Sequence, residues 1–446
     1  MTYTCSECGY RSIKRFGRCP RCGSWDSMGE TRAEHAAPTA SWLGEELRPI
    51  SELDLADVRR VPTGMAEFDR LLGGGLVPGA VILFGGEPGI GKSTLLLQVS
   101  QALASGVGPV LYVSGEESEG QVKLRASRLG VNSERLYVLS EQTLDRIEPA
   151  IDQVRPQTLI VDSVQTMRCG DVDGEAGSVR QLRAVTGELI RVTKSKRITA
   201  FLVGHITKEG SFAGPKTVEH LVDVAVYLEG DRGEDIRMLR SVKNRFGATN
   251  EVAVFQMNED GLMEISDPSR FFLTDRDDDP RPGAAIVPVL EGTRPILVEL
   301  QALISPTGGY GVPQRRCTGL DVNRILLLLA VIDRRLGVPV GGADVYLSVA
   351  GGLTVKERAT DLAAIAAIVS SLRNRPLPAL TALVGEVDLA GEVRRVRRLG
   401  DRVREAAKSG YKRILVPATD SAPTADGIDV VPVPTIERAM EELSLE

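Results

Sequence analysis

The stretch "GGEPGIGKST", residues 85–94, combines closely spaced glycines with a lysine and a hydroxyl pair. Gly86, Gly89 and Gly91 permit backbone turns that aim successive N–H groups at a phosphate chain, with Glu87, Pro88 and Ile90 filling the loop between them. Lys92 is expected to reach the β- and γ-phosphates of ATP. Ser93 would offer a hydroxyl to Mg2+, and Thr94 would close the first helical turn. A second group with chemical potential lies at the amino end, where Cys5, Cys8, Cys19 and Cys22 form two Cys-x-x-Cys pairs, each followed by a glycine. Four thiolates of this spacing suit a closed tetrahedral Zn2+ site that is structural rather than catalytic. Disulfides are the alternative, and a reducing compartment argues against them.

Two carboxylates complete the nucleotide chemistry. Asp162 ends the apolar run "TLIVD" and is placed to hold magnesium beside Ser93, although a strand-end acid can also be a plain cap. Glu116 follows "VLYVS" and is the candidate to orient or deprotonate the attacking water, with Glu117 as the fallback.

These side chains need elements to carry them. From Val61 to Asp275, short β-branched runs alternate with helical patterns such as "STLLLQVSQALAS", which predicts a parallel sheet with crossover helices, an α/β fold. The phosphate loop then follows its strand and opens a helix, the context it requires. The segment "TDRDDDPRPG", 274–283, interrupts the pattern, and a second α/β region follows it. The expected organisation is a zinc module over 1–28, a flexible linker over 29–58, an ATPase domain over 59–275 and a second domain over 284–446.

The whole chain sets bounds. Its 446 residues, 42% of them hydrophobic, suffice for several cored domains. No apolar run reaches the roughly 18 residues of a membrane span and the amino terminus has no signal-peptide pattern, so a cytoplasmic location with no membrane partner is expected. The net charge of −6 excludes a globally basic nucleic-acid binder, so any such contact must be local.

The run "PTGMAEFDRLLGGGLVPGAVILFGGEPGIGKST", with "YVSGEES" and "LIVDSVQT", resembles the RecA-like ATPase core of recombinases and replicative helicases. With "GHITKEGSFAGPKTVEHLVD" and "RSVKNRFGAT", essentially the entire chain is similar to the RadA (Sms) family of bacterial DNA repair proteins. The resemblance implies a DNA-dependent ATPase that forms hexameric rings, works beside a RecA-type recombinase on single-stranded and branched DNA, and promotes branch migration with helicase-like motor action. It also implies that Lys243 and Arg245 of "KNRFG" reach the γ-phosphate in a neighbouring subunit, Arg245 as an arginine finger. Without the resemblance, the same residues read as a strand and turn with solvated charges.

Two segments lie where RecA-like rings place DNA loops, 167–183 and 207–220. They carry Arg180, Arg183, Lys208 and Lys216 on glycine-rich stretches expected to be mobile. His205, just before the second, is expected to sense the γ-phosphate. Residues 391–413 hold nine Lys or Arg against three acids, a local balance of 9 − 3 = +6. Arg394, Arg395, Arg397 and Arg398 of that run are DNA-contact candidates, with a solvated helix face as the bland alternative.

From "DVYLSVAGGLTVKERATDL" onward the chain resembles the proteolytic domain of Lon proteases. The resemblance places Thr360 at the serine nucleophile and Gly400 at the catalytic lysine. Glycine cannot serve as the base, so a Lon-like fold without proteolysis is expected. Two competing functions follow: an ATP-dependent protease or unfoldase, which Thr360 and Gly400 oppose, and a nucleotide-switched DNA clamp that does not translocate.

Overall fold

The structure, a computed structural model, describes residues 2–7, 10–12, 14, 16–31, 49, 51, 59–205, 216–231, 233–273, 280–307, 312–419 and 423–446. These form two compact units, Met1–Asp57 and Val58–Glu446.

In the first unit, the strand Thr2–Cys5 pairs antiparallel with Arg11–Ser12 on one side and Met28–Thr31 on the other. The ribbon therefore continues past residue 28, into the segment expected to be linker. Most of that segment, and with it the expectation of flexibility, lies outside the described residues.

The second unit contains a nine-stranded sheet. Its order from one edge is Gly261–Glu264, Val252–Asn258, Ile236–Asn244, Val224–Glu229, Val81–Gly86, Thr199–His205, Thr158–Asp162, Val110–Ser114 and Leu136–Ser140. The six strands from Val224–Glu229 to Leu136–Ser140 run parallel. Four of them are nearly continuous apolar runs because helices cover both faces, and Val81–Gly86, Val110–Ser114 and Thr158–Asp162 are buried throughout. One face buries Phe84, Leu95 and Leu96, the other Leu83, Leu182 and Leu189. The expected α/β fold is what forms.

A second, mixed sheet of seven strands runs Arg315–Thr318, Ala343–Val349, Arg294–Pro306, Ala284–Glu291, Thr381–Leu383, Arg413–Pro417, Asp429–Val433. Against it lies the helix Asp361–Arg373, whose residues 361–370 are all buried. The alanines of that helix allow the close approach that so deep a burial requires.

The two sheets share one apolar cluster. Val252, Val254 and Phe272 from the first side pack with Val287, Val298 and Leu300 from the second. The glycine pair of "AGGL" belongs to this contact. A Cβ on Gly352 would lie 2.9 Å from the Glu234 carboxylate carbon, and one on Gly351 would lie 2.6 Å from the Phe272 ring. Both glycines also hold positive φ, 76° and 71°, so the pair serves contact between the sheets.

Arg402 shows how misleading a charge run can be. Its side chain is 1% exposed and pairs bidentately with Glu357, at 2.6 and 2.8 Å, while its Nε donates to Arg397 O at 3.0 Å. Glu357 in turn accepts from Leu290 N at 2.7 Å. Of the nine cations in 391–413, this one is turned into the core and is not available to DNA.

Removing one partner of a buried pair leaves an uncompensated charge, at a cost of about 3–5 kcal/mol. Arg402→Ala should accordingly lower the thermal midpoint of the second unit by several degrees, more than Arg397→Ala on the exposed surface. Equal midpoints for the two variants in a melting experiment would refute the assignment.

Candidate functional site

Register brings the nucleotide residues together. Gly86 lies opposite His205 and Ser114 opposite Asp162, so the carboxyl ends of four parallel strands converge on one edge. The phosphate loop springs from Gly86, and the helix Lys92–Gly106 begins at its last glycine. Glu87, Pro88 and Gly89 stand toward the surface, while Ile90 is buried as the loop's anchor.

Ser93 Oγ donates to Asp162 Oδ2 at 2.6 Å, and Tyr112 OH donates to the same oxygen at 2.5 Å. A serine hydroxyl beside a buried carboxylate is the hard-oxygen donor set that suits Mg2+. Ser93 and Asp162 would hold the ion, which would supply charge neutralisation across the phosphate oxygens. Tyr112 steers the carboxylate, and its own hydroxyl is held well above the usual tyrosine range by burial first and by Asp162 second.

Glu116 lies in the same cluster. Its Oε1 accepts from Ser163 Oγ at 2.6 Å and from His205 Nε2 at 3.1 Å. The His205 hydrogen bond, ahead of Ser163 and Lys92, brings the carboxyl down to about 2. A carboxylate that acidic is ionised throughout the working pH range but is a weak proton acceptor, which favours orienting a water over deprotonating it. Glu117, the fallback, pairs instead with Arg125.

His205 links the carboxylate to the loop lysine. Lys92 Nζ lies 3.1 Å from His205 Nδ1 and also donates to Gly86 O at 2.9 Å and Glu87 O at 2.8 Å. Because an ammonium can only donate, Nδ1 must accept, which assigns the imidazole hydrogen to Nε2 and aims it at Glu116. Gln165 fixes the strand end from both sides: its Nε2 donates to His205 O at 3.0 Å, and its Oε1 accepts from His205 N at 2.8 Å. Gly115 is required for the turn to Glu116, since a Cβ there would meet Thr166 Oγ1 at 2.1 Å.

Arg245 and Lys243 lie at the opposite edge. Asn244 ends its strand opposite Val224, which itself pairs with Ile82 near the start of the phosphate-loop strand. Arg245 Nη1 donates to Asp223 Oδ1 at 3.1 Å, and the other oxygen of Asp223 accepts from Val81 N at 3.1 Å. Five residues of strand therefore separate this carboxylate from Gly86, about 16 Å at strand rise. Asp223 is 3% exposed and Arg245 54%, so a buried anchor presents an outward cation. Lys243 Nζ donates to Glu219 O at 2.8 Å and His220 O at 3.1 Å.

Of the remaining candidates, Arg180 and Arg183 are exposed near the start of the helix Val179–Ser195. Their loop is tied down rather than loose: Cys169 N donates to Gln181 Oε1 at 2.9 Å, and Gln181 Nε2 returns to Cys169 O at 3.2 Å. Lys208 lies outside the described residues, and Lys216 opens the short helix Lys216–Glu219. Arg394, Arg395, Arg397 and Arg398 are exposed, with Arg394 paired to Asp388 at 2.7 Å and Arg398 to Asp401 at 2.5 Å. In the amino-terminal unit the sulfurs of Cys5, Cys19 and Cys22 lie within 4.8 Å of one another, and Cys5 and Cys22 are 3.6 Å apart. A tetrahedral thiolate site with bonds of about 2.3 Å sets its sulfurs about 3.8 Å apart, so these three fit one. Cys8 lies outside the described residues. Gly23, with φ 77°, donates its N–H to Cys19 O at 2.9 Å.

Tyr112, Ser163, Gln165 and Asp223 escape a sequence reading because each matters through a partner distant along the chain. Asp223 alone leaves a trace, an acid at the entrance to an apolar strand.

Burial, above the opposing pull of nearby carboxylates, brings Lys92 down to about 8. Its charge is therefore present below that value and lost above it. ATP affinity should fall about tenfold per pH unit above about 8, and a binding constant that stays level to pH 9.5 would contradict this. Glu116→Gln should keep ATP affinity within about twofold while kcat falls by about 10²-fold or more, as loss of a positioned carboxylate predicts.

Residues 45–211 match the AAA domain family and residues 3–30 the Rubredoxin metal binding domain family. The DNA repair protein RadA of Bacillus subtilis is 47% identical over 447 residues, covering 98% of this chain and 97% of that protein. The DNA repair protein RadA of Halalkalibacterium halodurans is 46% identical, over 98% of this chain and 97% of its own. Among solved structures, a KaiC-like protein of Pyrococcus horikoshii aligns with 47% of this chain and 99% of its own, at 21% identity and a TM-score of 0.40. At such identity across nearly the full length, with its phosphate loop, acidic partners and thiolate ribbon in place, the chain belongs to the RadA family of DNA repair proteins.

Proposed function

We propose that this protein is a DNA-dependent ATPase of recombinational repair, which binds single-stranded and branched DNA as a ring and moves branch points by helicase-like action. The observation that carries the proposal is the position of Arg245. It is anchored by Asp223 at the sheet edge away from its own phosphate loop and is half exposed. Such a cation is too far from its own loop to serve it and is free to reach another subunit's γ-phosphate, which would make hydrolysis depend on assembly.

Lys243 supports the link to DNA. Its amine is held by the carbonyls of Glu219 and His220, at the end of the second candidate DNA loop. A shift of that loop on DNA would therefore move Lys243 and its neighbour Arg245. His205, between Lys92 and Glu116 and two residues before the same loop, would report the phosphate state in the other direction. Arg180, Arg183, Lys208 and Lys216 would contact the strand within the ring, and Arg394, Arg395, Arg397 and Arg398 would contact duplex arms. The RecA-type recombinase partner, the hexameric ring, the cytoplasmic location and Zn2+ in the four-cysteine ribbon belong to the same proposal.

The second sheet is proposed as a Lon-like scaffold without proteolysis. Thr360 Oγ1 donates to Glu357 O at 3.0 Å, and the next residue, Asp361, is buried and paired with Arg324. Burial raises the Asp361 carboxyl while Arg324 opposes that rise. The position that aligns with the Lon serine thus lies among structural polar contacts, which supports a scaffold reading.

The test is the ATP turnover rate against added single-stranded DNA, with Lys92→Ala as control. Turnover should rise several-fold with DNA and the rise should diminish steeply with salt. A rate indifferent to DNA would exclude the motor.

A further inference from the structure

Arg237 is a charged residue near the start of the strand Ile236–Asn244, only 6% exposed, and no step above uses it. Its Nε donates to Ile90 O at 3.2 Å. Its Nη1 donates to Asp231 O at 3.0 Å, to Ile236 O at 2.8 Å and to Glu234 O. One guanidinium thus joins the tip of the phosphate loop to the hairpin that connects the strands Val224–Glu229 and Ile236–Asn244. A buried arginine is costly unless its donors are satisfied, and here main-chain carbonyls take the Nε and Nη1 hydrogens.

The contact at Ile90 fixes a direction. In a trans peptide the C=O and the following N–H point opposite ways. Holding Ile90 O toward Arg237 therefore turns Gly91 N–H away from the sheet's antiparallel side and into the phosphate cradle. The geometry points to Arg237 as a positioning residue for nucleotide binding: it sets the Ile90–Gly91 peptide so that the Gly91 amide meets the α/β-phosphates, the part of the chain such loops grip. Arg237 touches no phosphate itself. The inference concerns ATP binding alone and stands whether or not DNA is the track.

Arg237→Lys tests it. Lysine places a methylene where Nε donates to Ile90 O, yet its ammonium still reaches the hairpin carbonyls. ATP and ADP both carry the β-phosphate, so their dissociation constants should rise together, by about tenfold for one hydrogen bond to a charged group. At saturating ATP, kcat should stay within about twofold, since the amide grips ground and transition states alike. Leu239→Ala is the comparison: it removes a buried side chain two residues along the same strand, from the apolar cluster that also holds Ile90, and leaves the Arg237 hydrogen bond to Ile90 O in place. It should lower the thermal midpoint and leave both dissociation constants unchanged. Wild-type affinity in Arg237→Lys, or an equal loss of affinity in Leu239→Ala, would overturn the assignment.

Discussion

The polarity of the parallel sheet is the constraint on which the site depends. Because six neighbouring strands run the same way, their carboxyl ends deliver Gly86, Ser114, Asp162 and His205 to one edge. The same polarity sends the antiparallel strand Ile236–Asn244 back to the other edge, where Asp223 takes hold of Arg245. Reversal of a single strand thus separates a phosphate loop from a cation that suits phosphate. A separation of about 16 Å along a rigid strand cannot be closed by a side chain of arginine's length, particularly one held by a buried carboxylate.

At the loop edge, the groups are arranged so that each charge has a defined partner. Lys92 points its ammonium at His205, which turns its one ring hydrogen to Glu116, which also accepts from Ser163. The result is a lysine whose burial makes it easy to discharge and a glutamate whose hydrogen bonds make it hard to protonate. Phosphate would compete with His205 for Lys92, and loss of that partner would loosen the hold on Glu116. Nucleotide binding at Lys92 and the water orientation proposed for Glu116 would then be two ends of one hydrogen-bonded line.

Local chemistry made the phosphate loop, the cysteine pairs and the strand-end acids legible, since their spacing along the chain carries the information. Partnership across the sheet was not legible. Glu116 and Glu117 are indistinguishable as letters; Ser163 and His205, which hold Glu116, and Arg125 on the following helix, which takes Glu117, separate them. The basic run at 391–413 reads as a uniform surface, yet Arg402 within it is the buried partner of Glu357, 45 residues earlier. The glycine-rich segment before Val179 reads as loose, yet one glutamine side chain pins it. The pair Gly351–Gly352 looks like part of a protease turn, but its lack of side chains is what lets the two sheets meet.

The most direct measurement of the central claim, that one subunit completes another's site, mixes two variants. Lys92→Ala disables a loop and leaves its finger; Arg245→Ala does the reverse. Each alone should be inactive, with Arg245→Ala still binding ATP. Mixed in equal amounts and assembled at random, they should recover about a quarter of the wild-type ATPase rate, since that fraction of interfaces joins an intact loop to an intact finger. No recovery in co-assembled rings, or full activity in Arg245→Ala by itself, would contradict the account.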